Sequence, residues 1–397
     1  KMKELLTGNE AIARGVLLCR PDLISVYPIT PQTQIPEELA GYMAEFLKTG
    51  KGLDADIIHV ESEHSAMAAA YGAALAGGRT FVATSSHGLL YMYEMLYWAA
   101  GARLPIVLVN VMRALGSPWN IWPDHNDAML LRDFPAIQLF AGSCQEAYDL
   151  VPVAYRLAEE TSFLTVLNTE GFVLSHSGEP VEMLEQEKAD RFLPAYKPQY
   201  KIDVANPRSF GASSDTPDFF YELRKRAYAE MDSAKESFAR TCKEFGNLSG
   251  RDYGAVEEYQ TEDAEIVLVS IGTAFDTIKT VADRLREKGE RVGAVKIRLL
   301  RPFPSRELRE ALSGKYVRKI AVIESNNTAV ITNEIRAMLY ARPLRNPHFA
   351  PPYAPTLHGY IAGIGGKEIG PEVIERVIAK TKKSQIDDIS WEGGDGK

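Results

Sequence analysis

At 397 residues, with 45 Lys and Arg against 53 Asp and Glu, the chain carries a formal net charge of -8. That length leaves room for two or three domains with large cores. The charge, with no basic stripe, argues against a nucleic-acid binder, which needs clustered cations to neutralise phosphates. The densest basic run, Arg224 to Arg226, reads as a solvated helix face. The longest apolar run, Gly88 to Gly101, is broken by Glu94 and is shorter than the ~18 residues of a membrane span. The start of the chain reads straight into a helix with no signal peptide, so a soluble, cytoplasmic protein is expected. Cys19, Cys144 and Cys242 are too scattered to hold zinc or an iron-sulfur cluster and read as buried thiols.

Taken in order, Gly8 to Leu18 predicts a helix, and Leu23 to Val26 a strand running into YPITPQTQIPEEL, Tyr27 to Leu39. Pro28 and Pro31 forbid a helix and stiffen this loop. A stiff loop grips a ligand at lower entropic cost, and the Tyr27 and Thr30 hydroxyls stand there. After a helix over 36–47, Asp54 to Ala114 reads as three buried strands, Ile57 to Val60, Thr80 to Thr84 and Ile106 to Val111. Two helices of small and apolar residues separate them, the alternation that builds a parallel sheet. Glu63 falls where the first strand gives way to its helix. Ligands of such sheets sit beyond the carboxyl ends of the strands, so this carboxylate points at a cleft. Equally, a Glu at a helix start is a favourable partner of the helix dipole with no further role. The helix over 62–76 is so rich in Ala and Gly that a cofactor or a second subunit can lie close against it.

Arg113 follows the third strand and reaches the same rim. The loop after it, ending in PWNIWPDHND, keeps no period, and long aperiodic loops are functional or disordered. Trp119 and Trp122 argue against disorder. Asp124 and Asp127 read as caps of a helix starting near Ala128 rather than as metal ligands. A strand over 137–140, a helix over 145–159 and a strand over 163–167 complete a sheet unit within residues 1–185. Residues 186–262 turn to Pro, Ser, Tyr and charge, with a long polar helix over 217–245. That pattern suits a connecting arm packing on partner subunits. From 263 to 385 a second α/β unit shows strands in AEIVLVSIGTA, RVGAVKIRLLRPFP, KIAVIESN and HGYIAGIGG, with helices over 275–288, 305–313 and 371–381. Gly272, Gly363, Gly365 and Gly366 read as turns, since no G-x-G-x-x-G opens a helix after a strand. A polar tail, 386–397, ends the sequence.

YPITP at Tyr27 to Pro31, ESEHSA at Glu61 to Ala66, TSSHGLLYMYEML at Thr84 to Leu96, RALGSPWNIWPDHND at Arg113 to Asp127 and RPFP at Arg301 to Pro304 together resemble the alpha subunit of the pyruvate (2-oxoacid):ferredoxin oxidoreductases. The resemblance spans nearly the whole chain, in the family's order. It implies an α/β chain with a thiamine-diphosphate-binding, pyrimidine-type parallel-sheet domain plus a transketolase C-terminal-like α/β domain. It also implies an enzyme, active only with partner chains, that converts a 2-oxoacid and coenzyme A to acyl-CoA, carbon dioxide and reduced ferredoxin, or the reverse. By the same resemblance Glu63, Arg113 and Thr30 are catalytic. Glu63 bonds the aminopyrimidine ring of the cofactor and favours the tautomer that takes up the thiazolium proton. Thr30, Arg113 and Tyr27 bind the substrate, whose carboxylate a guanidinium recognises through paired bonds. Pro28, Ile29 and His87 line the cofactor cleft, or His87 supports it from behind.

Cofactor enzymes of this kind hold magnesium and diphosphate on a Gly-Asp-Gly motif, and here that string occurs only at Gly394 to Gly396. The resemblance therefore places the magnesium and diphosphate half-site on one partner subunit and the iron-sulfur clusters on another, with a gamma-type subunit beside them and no metal ligand in this chain. Met112, Gly116 and Ser117 stand where pyruvate-type members carry Asn and Ser-Ala, and His87 where Gln is usual. These departures suggest an acid bulkier than pyruvate, with Met112 and Trp119 offering apolar surface. Two other readings stay open: a beta-type subunit of a 2-oxoacid dehydrogenase, and a non-catalytic scaffold subunit.

Overall fold

In the computed structural model, which describes residues 2–211, 213–214, 216–340, 355–384 and 388–393, the chain opens with strand β1 (Lys3–Thr7) and helix α1 (Gly8–Cys19). Thr7 and Glu10 cap that helix reciprocally. There follow β2 (Leu23–Val26), α2 (Gln34–Thr49), β3 (Asp56–His59), α3 (Glu63–Leu75), β4 (Thr80–Thr84), α4 (Ser86–Tyr91), α5 (Tyr93–Gly101), β5 (Val107–Met112), α6 (Asn126–Met129), β6 (Ile137–Phe140), α7 (Cys144–Thr161) and β7 (Thr165–Glu170). Their strands form one parallel sheet in the order β6-β7-β5-β4-β2-β3. Strands β2, β4, β5 and β7 are buried throughout, as continuous apolar runs covered on both faces must be. The expectation of three buried strands fails at β3. Among the described residues it is the edge strand, pairs with β2 alone and is mostly exposed. The second small-residue helix of this stretch breaks at Met92 into α4 and α5.

The unit closes when β8 (Gly178–Glu182) pairs antiparallel with β1, a ribbon whose polar residues gave no strand signal. After α8 (Gln186–Phe192) and an irregular arm comes α9 (Pro217–Ser249), 33 residues long. Its second half buries Ala234, Phe238, Cys242 and Phe245 in the core of the first unit, while Phe219, Phe220, Tyr221 and Tyr228 in its first half are exposed.

The second unit contains β9 (Val256–Tyr259), β10 (Ile266–Ser270), α10 (Ala274–Arg286), β11 (Val292–Ile297), β12 (Leu299–Arg301), α11 (Ser305–Leu312), β13 (Lys319–Glu324), α12 (Val330–Tyr340), β14 (Thr356–Ile361), α13 (Pro371–Lys383) and β15 (Asp388–Trp391). The sheet order is β15-β14-β13-β10-β11-β9, with β9 antiparallel and the rest parallel. The segment expected as one strand, RVGAVKIRLLRPFP, is two. Strand β11 belongs to this sheet, and β12 pairs with β6 at the edge of the first. The RPFP motif therefore staples the two units, and its Arg301 guanidinium donates to the Arg132 carbonyl at 2.7 Å and to Glu334 at 2.6 Å. A buried ion cluster adds to this, with Glu146 of α7 meeting Lys296 at 2.5 Å and Arg298 at 2.6 Å. Burial alone would raise the Glu146 carboxyl, but the two cations hold it at about 2. The tail expected from residue 386 contributes β15 to the sheet, and Gly394 to Gly396 lie outside the described residues. Among the described residues no helix is long and apolar enough to cross a membrane.

Candidate active site

The residues singled out in sequence all follow the carboxyl ends of adjacent parallel strands, where open α/β sheets bind ligands. Glu63 is the first residue of α3, whose Ser62 cap accepts from the Ser65 N–H at 3.2 Å. Its side chain is buried, at 8% exposure. It packs so closely on α4 that a Cβ added to Gly88 would stand 2.7 Å from Glu63 Oε1 and 2.5 Å from Thr84 Oγ1. Among the described residues no group donates a hydrogen bond to this carboxylate. A helix-dipole partner alone would gain as much at the water-facing surface, without the cost of burial.

Arg113 directly follows β5 and is 2% exposed. Its Nη1 donates to the Thr30 carbonyl at 2.7 Å, its guanidinium lies 5.0 Å from the centre of the Trp119 ring, and its buried Nε has no partner among the described residues. Burial lowers its pKa, with the charges of Asp127 and Glu63 opposing that shift; an arginine stays cationic nonetheless. The YPITP loop that meets it is braced from below. Asn9 donates to the Pro31 carbonyl at 2.8 Å and Gln32 to the Tyr27 carbonyl at 2.9 Å. Pro31 and the Met112 carbonyl also leave no space for a Cβ on Gly171, at 2.8 and 2.6 Å. Thr30 and Pro28 are exposed, and Ile29 is half-buried. Tyr27, expected to present its hydroxyl, is half-buried and packs against the apolar cluster that includes Ala66, Met67 and Leu89.

His87 is exposed and accepts the Gly116 N–H at 2.9 Å, bracing the loop that carries Trp119. That is the supporting role weighed for it. Met112, expected to offer surface to a substrate, is fully buried in a core cluster with Phe140 and Ile271. Its side chain belongs to the core between the sheets. Trp119 is 76% exposed. The capping role expected of Asp124 and Asp127 is also corrected, since α6 begins at Asn126 without a side-chain cap. Asp124 accepts from the Asn126 N–H at 3.0 Å, and Asp127 is a buried acceptor for Ser86, Arg113 and Ala128. Gly88, which packs on Glu63, and Asp127, which holds the Arg113 backbone, were not read from sequence as part of this rim. A Gly just inside an otherwise apolar helix was the one available signal, for Gly88.

Behind this rim the two units meet at a second polar knot. His125 Nε2 lies 3.0 Å from Glu170 Oε1, which accepts the Thr273 N–H at 3.2 Å. Gly272, read as a turn, has φ 66°, and a Cβ there would collide with the Glu170 carboxylate. Burial favours neutral His125, but Glu170, with Asp124 and Asp127, prevails and raises its pKa. Burial likewise opposes an ionised Glu170, and His125 and Thr273 outweigh it. A cavity of about 540 Å³ opens beside this knot.

Residues 14–242 match the family described as pyruvate flavodoxin/ferredoxin oxidoreductase, thiamine diphosphate-binding, and residues 264–374 match core domain II of pyruvate:ferredoxin oxidoreductase. The chain belongs to this family. Pyruvate synthase subunit PorA of Methanothermobacter thermautotrophicus is 40% identical over 98% of this chain and 98% of its own length. Ketoisovalerate oxidoreductase subunit VorA of Pyrococcus horikoshii is 40% identical over 96% and 94%. Pyruvate synthase subunit PorA of Thermotoga maritima is 41% identical over 94% and 93%. Among solved structures, a 2-oxoglutarate:ferredoxin oxidoreductase from Magnetococcus marinus with 2-oxoglutarate, coenzyme A and succinyl-CoA bound superposes with a TM-score of 0.73, at 20% identity, over 96% of this chain and 66% of that one. A split-gene transketolase superposes with a TM-score of 0.54 at 10% identity over 95% and 98%. Those two likenesses show the fold, two successive α/β units, and the family match makes the first a thiamine-diphosphate-binding one. The pyruvate:ferredoxin oxidoreductase family is the one that the motifs resembled, rather than that of the 2-oxoacid dehydrogenase beta subunits. The chain is the alpha-type subunit of a 2-oxoacid oxidoreductase, an enzyme that works with partner chains.

Proposed function

We propose that, in the assembled 2-oxoacid:ferredoxin oxidoreductase, Glu63 activates thiamine diphosphate while Arg113 and Thr30 grip the substrate beside it. One observation carries this reading: a buried carboxylate without a donor among the described residues shares a rim with a buried guanidinium whose Nε is unpartnered. Those groups fit the cofactor's aminopyrimidine ring and the anionic substrate. When bound, thiamine diphosphate supplies the nucleophilic carbon and the electron sink that decarboxylation of a 2-oxoacid needs. Glu63 accepts a hydrogen bond from a protonated ring nitrogen and so holds the proton there. Arg113 pairs with the substrate carboxylate, and the exposed Thr30 hydroxyl donates to a neighbouring oxygen. Pro28 and Ile29 line the cleft, Tyr27 supports their loop, and His87 holds Gly116.

The remaining parts belong to partner chains: a subunit bringing magnesium and the diphosphate half-site, one carrying iron-sulfur clusters, and a gamma-type subunit. Coenzyme A takes up the acyl group and ferredoxin the electrons, in the cytoplasm. The small-residue surface of α3 around Ala68, Ala69 and Gly72, partly exposed next to Glu63, suits the first of these partners. The cysteines of this chain suit no cluster, because burial raises all three thiols, Cys144 and Cys242 to about 12. The test is Glu63→Gln in the purified complex, which keeps the shape and removes the charge. Dye-linked 2-oxoacid oxidation should fall at least about 100-fold with thiamine diphosphate still bound. Undiminished turnover would make this chain the scaffold subunit of the alternative reading.

A further inference from the structure

The rim holds one more carboxylate, which faces neither cleft nor solvent. Asp127 is fully buried. Its Oδ2 accepts the backbone N–H of Ser86 at 3.0 Å and of Arg113 at 3.1 Å, and its Oδ1 accepts that of Ala128 at 2.7 Å. One side chain thus ties the start of α4 to the end of β5. Ser86 adopts a left-handed backbone, φ 49°, uncommon for a residue with a side chain, and its hydroxyl donates to the Ala114 carbonyl at 2.7 Å. Arg113 and Ala114 are therefore held from beneath at successive residues.

We infer that Asp127 is a positioning residue for substrate binding: its carboxylate fixes the backbone of Arg113, and so the line along which the guanidinium leaves β5 for the 2-oxoacid carboxylate. The inference rests on the proposed role of Arg113. Three N–H groups converge on Asp127, and only an acceptor with no hydrogen of its own serves all three; an asparagine turns its amide hydrogens on at least one. Nor does the fold gain from the charge. Burial pushes the Asp127 carboxyl up to about 6, against the pull of the three N–H groups and with Asp124 adding to the rise. A group whose folded pKa is raised subtracts stability once ionised, so the carboxylate at neutral pH costs the fold something. Placement of a ligand-binding arginine accounts for keeping it there.

A double-mutant cycle on the 2-oxoacid KM in the purified complex tests this, with Arg113→Ala, Asp127→Asn and the pair. Asp127→Asn should raise KM about ten-fold, the effect of one lost buried hydrogen bond to a charged group, with thiamine diphosphate affinity within about three-fold of wild type. The double variant should match Arg113→Ala, because a residue that acts through another has nothing left to place. If Arg113→Ala raises KM and Asp127→Asn does not, the positioning role is overturned and the reading of Arg113 stands. If Arg113→Ala leaves KM unchanged, that reading falls and the inference with it. Additive effects, or equal losses of substrate and cofactor affinity, indicate a general structural role and also overturn it. Should Asp127→Asn not assemble, Asp127→Ser, which keeps one acceptor and admits water, replaces it in the cycle. Failure of both to assemble makes Asp127 a folding residue and overturns the assignment.

Discussion

Replacing Gly88 by alanine sets helix preference against site geometry. Gly88 lies inside α4 with no left-handed backbone to preserve, so helix propensity alone favours alanine by about 1 kcal/mol. The new Cβ, however, would lie 2.7 Å from Glu63 Oε1 and 2.8 Å from its Cγ, where ordinary contact begins at 3.4 Å. It would also lie 2.5 Å from Thr84 Oγ1, a side-chain atom on a buried strand, so both neighbouring side chains must shift. The Glu63 side chain must therefore yield by roughly 0.7 Å, the difference between 3.4 and 2.7 Å. Overpacking of this kind costs about 1–3 kcal/mol, so the net loss of stability is about 0–2 kcal/mol once propensity is credited, and the complex should assemble. Catalysis responds differently, since a displacement approaching 1 Å at a reacting group costs on the order of 100-fold. The measurements are kcat by dye-linked 2-oxoacid oxidation, thiamine diphosphate content and thermal unfolding of the purified complex. A stable Gly88→Ala complex with full turnover would show that helix preference is all that matters at this position, and the link from Gly88 through Glu63 to chemistry would be refuted.

The knot between the units makes stability pH-dependent, with a definite sign. His125 has a raised pKa, so its contribution is complete below the unfolded value of about 6.5 and is lost as pH rises through the folded value; Glu170 has a lowered pKa, so its contribution is complete above about 4.5 and is lost as pH falls through its folded value. Thermal stability should therefore decline as pH rises above about 6.5, and His125→Gln should flatten that decline; parallel slopes for the two proteins would refute the assignment. The exposed Trp119 ring over Arg113 favours an acid larger than pyruvate, so kcat/KM for 3-methyl-2-oxobutanoate should exceed that for pyruvate by about ten-fold. Trp119→Ala should shrink the ratio, whereas a wild-type preference for pyruvate would sink the idea.

Much of the first sheet was legible because strands buried on both faces read as continuous apolar runs. Leu23 to Val26, Thr80 to Thr84 and Ile137 to Phe140 form strands with the bounds expected. What a run of apolar residues does not reveal is its neighbours. Ile57 and Ile58 look like core, yet they stand on an edge strand. Leu299 to Arg301 continues the text of β11 but crosses to the other sheet. Helix α12 was a different kind of miss, since Ile331, Ile335 and Met338 carry a helical period and are buried. That Glu63, Thr30 and Arg113 stand on one rim was legible because each follows a strand. Asp127 was not, because its partners Ser86 and Arg113 lie 41 and 14 residues away and offer only backbone N–H groups, which every residue type carries.

The incompleteness of the rim is itself informative when set against the rest of the molecule. Several buried charges elsewhere are paired within the chain: Arg79 with Glu159 at 2.6 Å, Asp149 with Arg251 at 2.6 Å, Glu146 with Lys296 and Arg298. Breaking such a pair costs about 3–5 kcal/mol, which shows how heavily an unmatched buried charge weighs on a fold. Among the described residues none donates to the Glu63 carboxylate and none accepts from the buried Arg113 Nε, on one side of one sheet, beside an edge strand and a helix of small residues. Opposite charges on one rim, a buried carboxylate and a buried guanidinium, suit the half-site proposed for Glu63 and Arg113, which cofactor, substrate and a second polypeptide would complete.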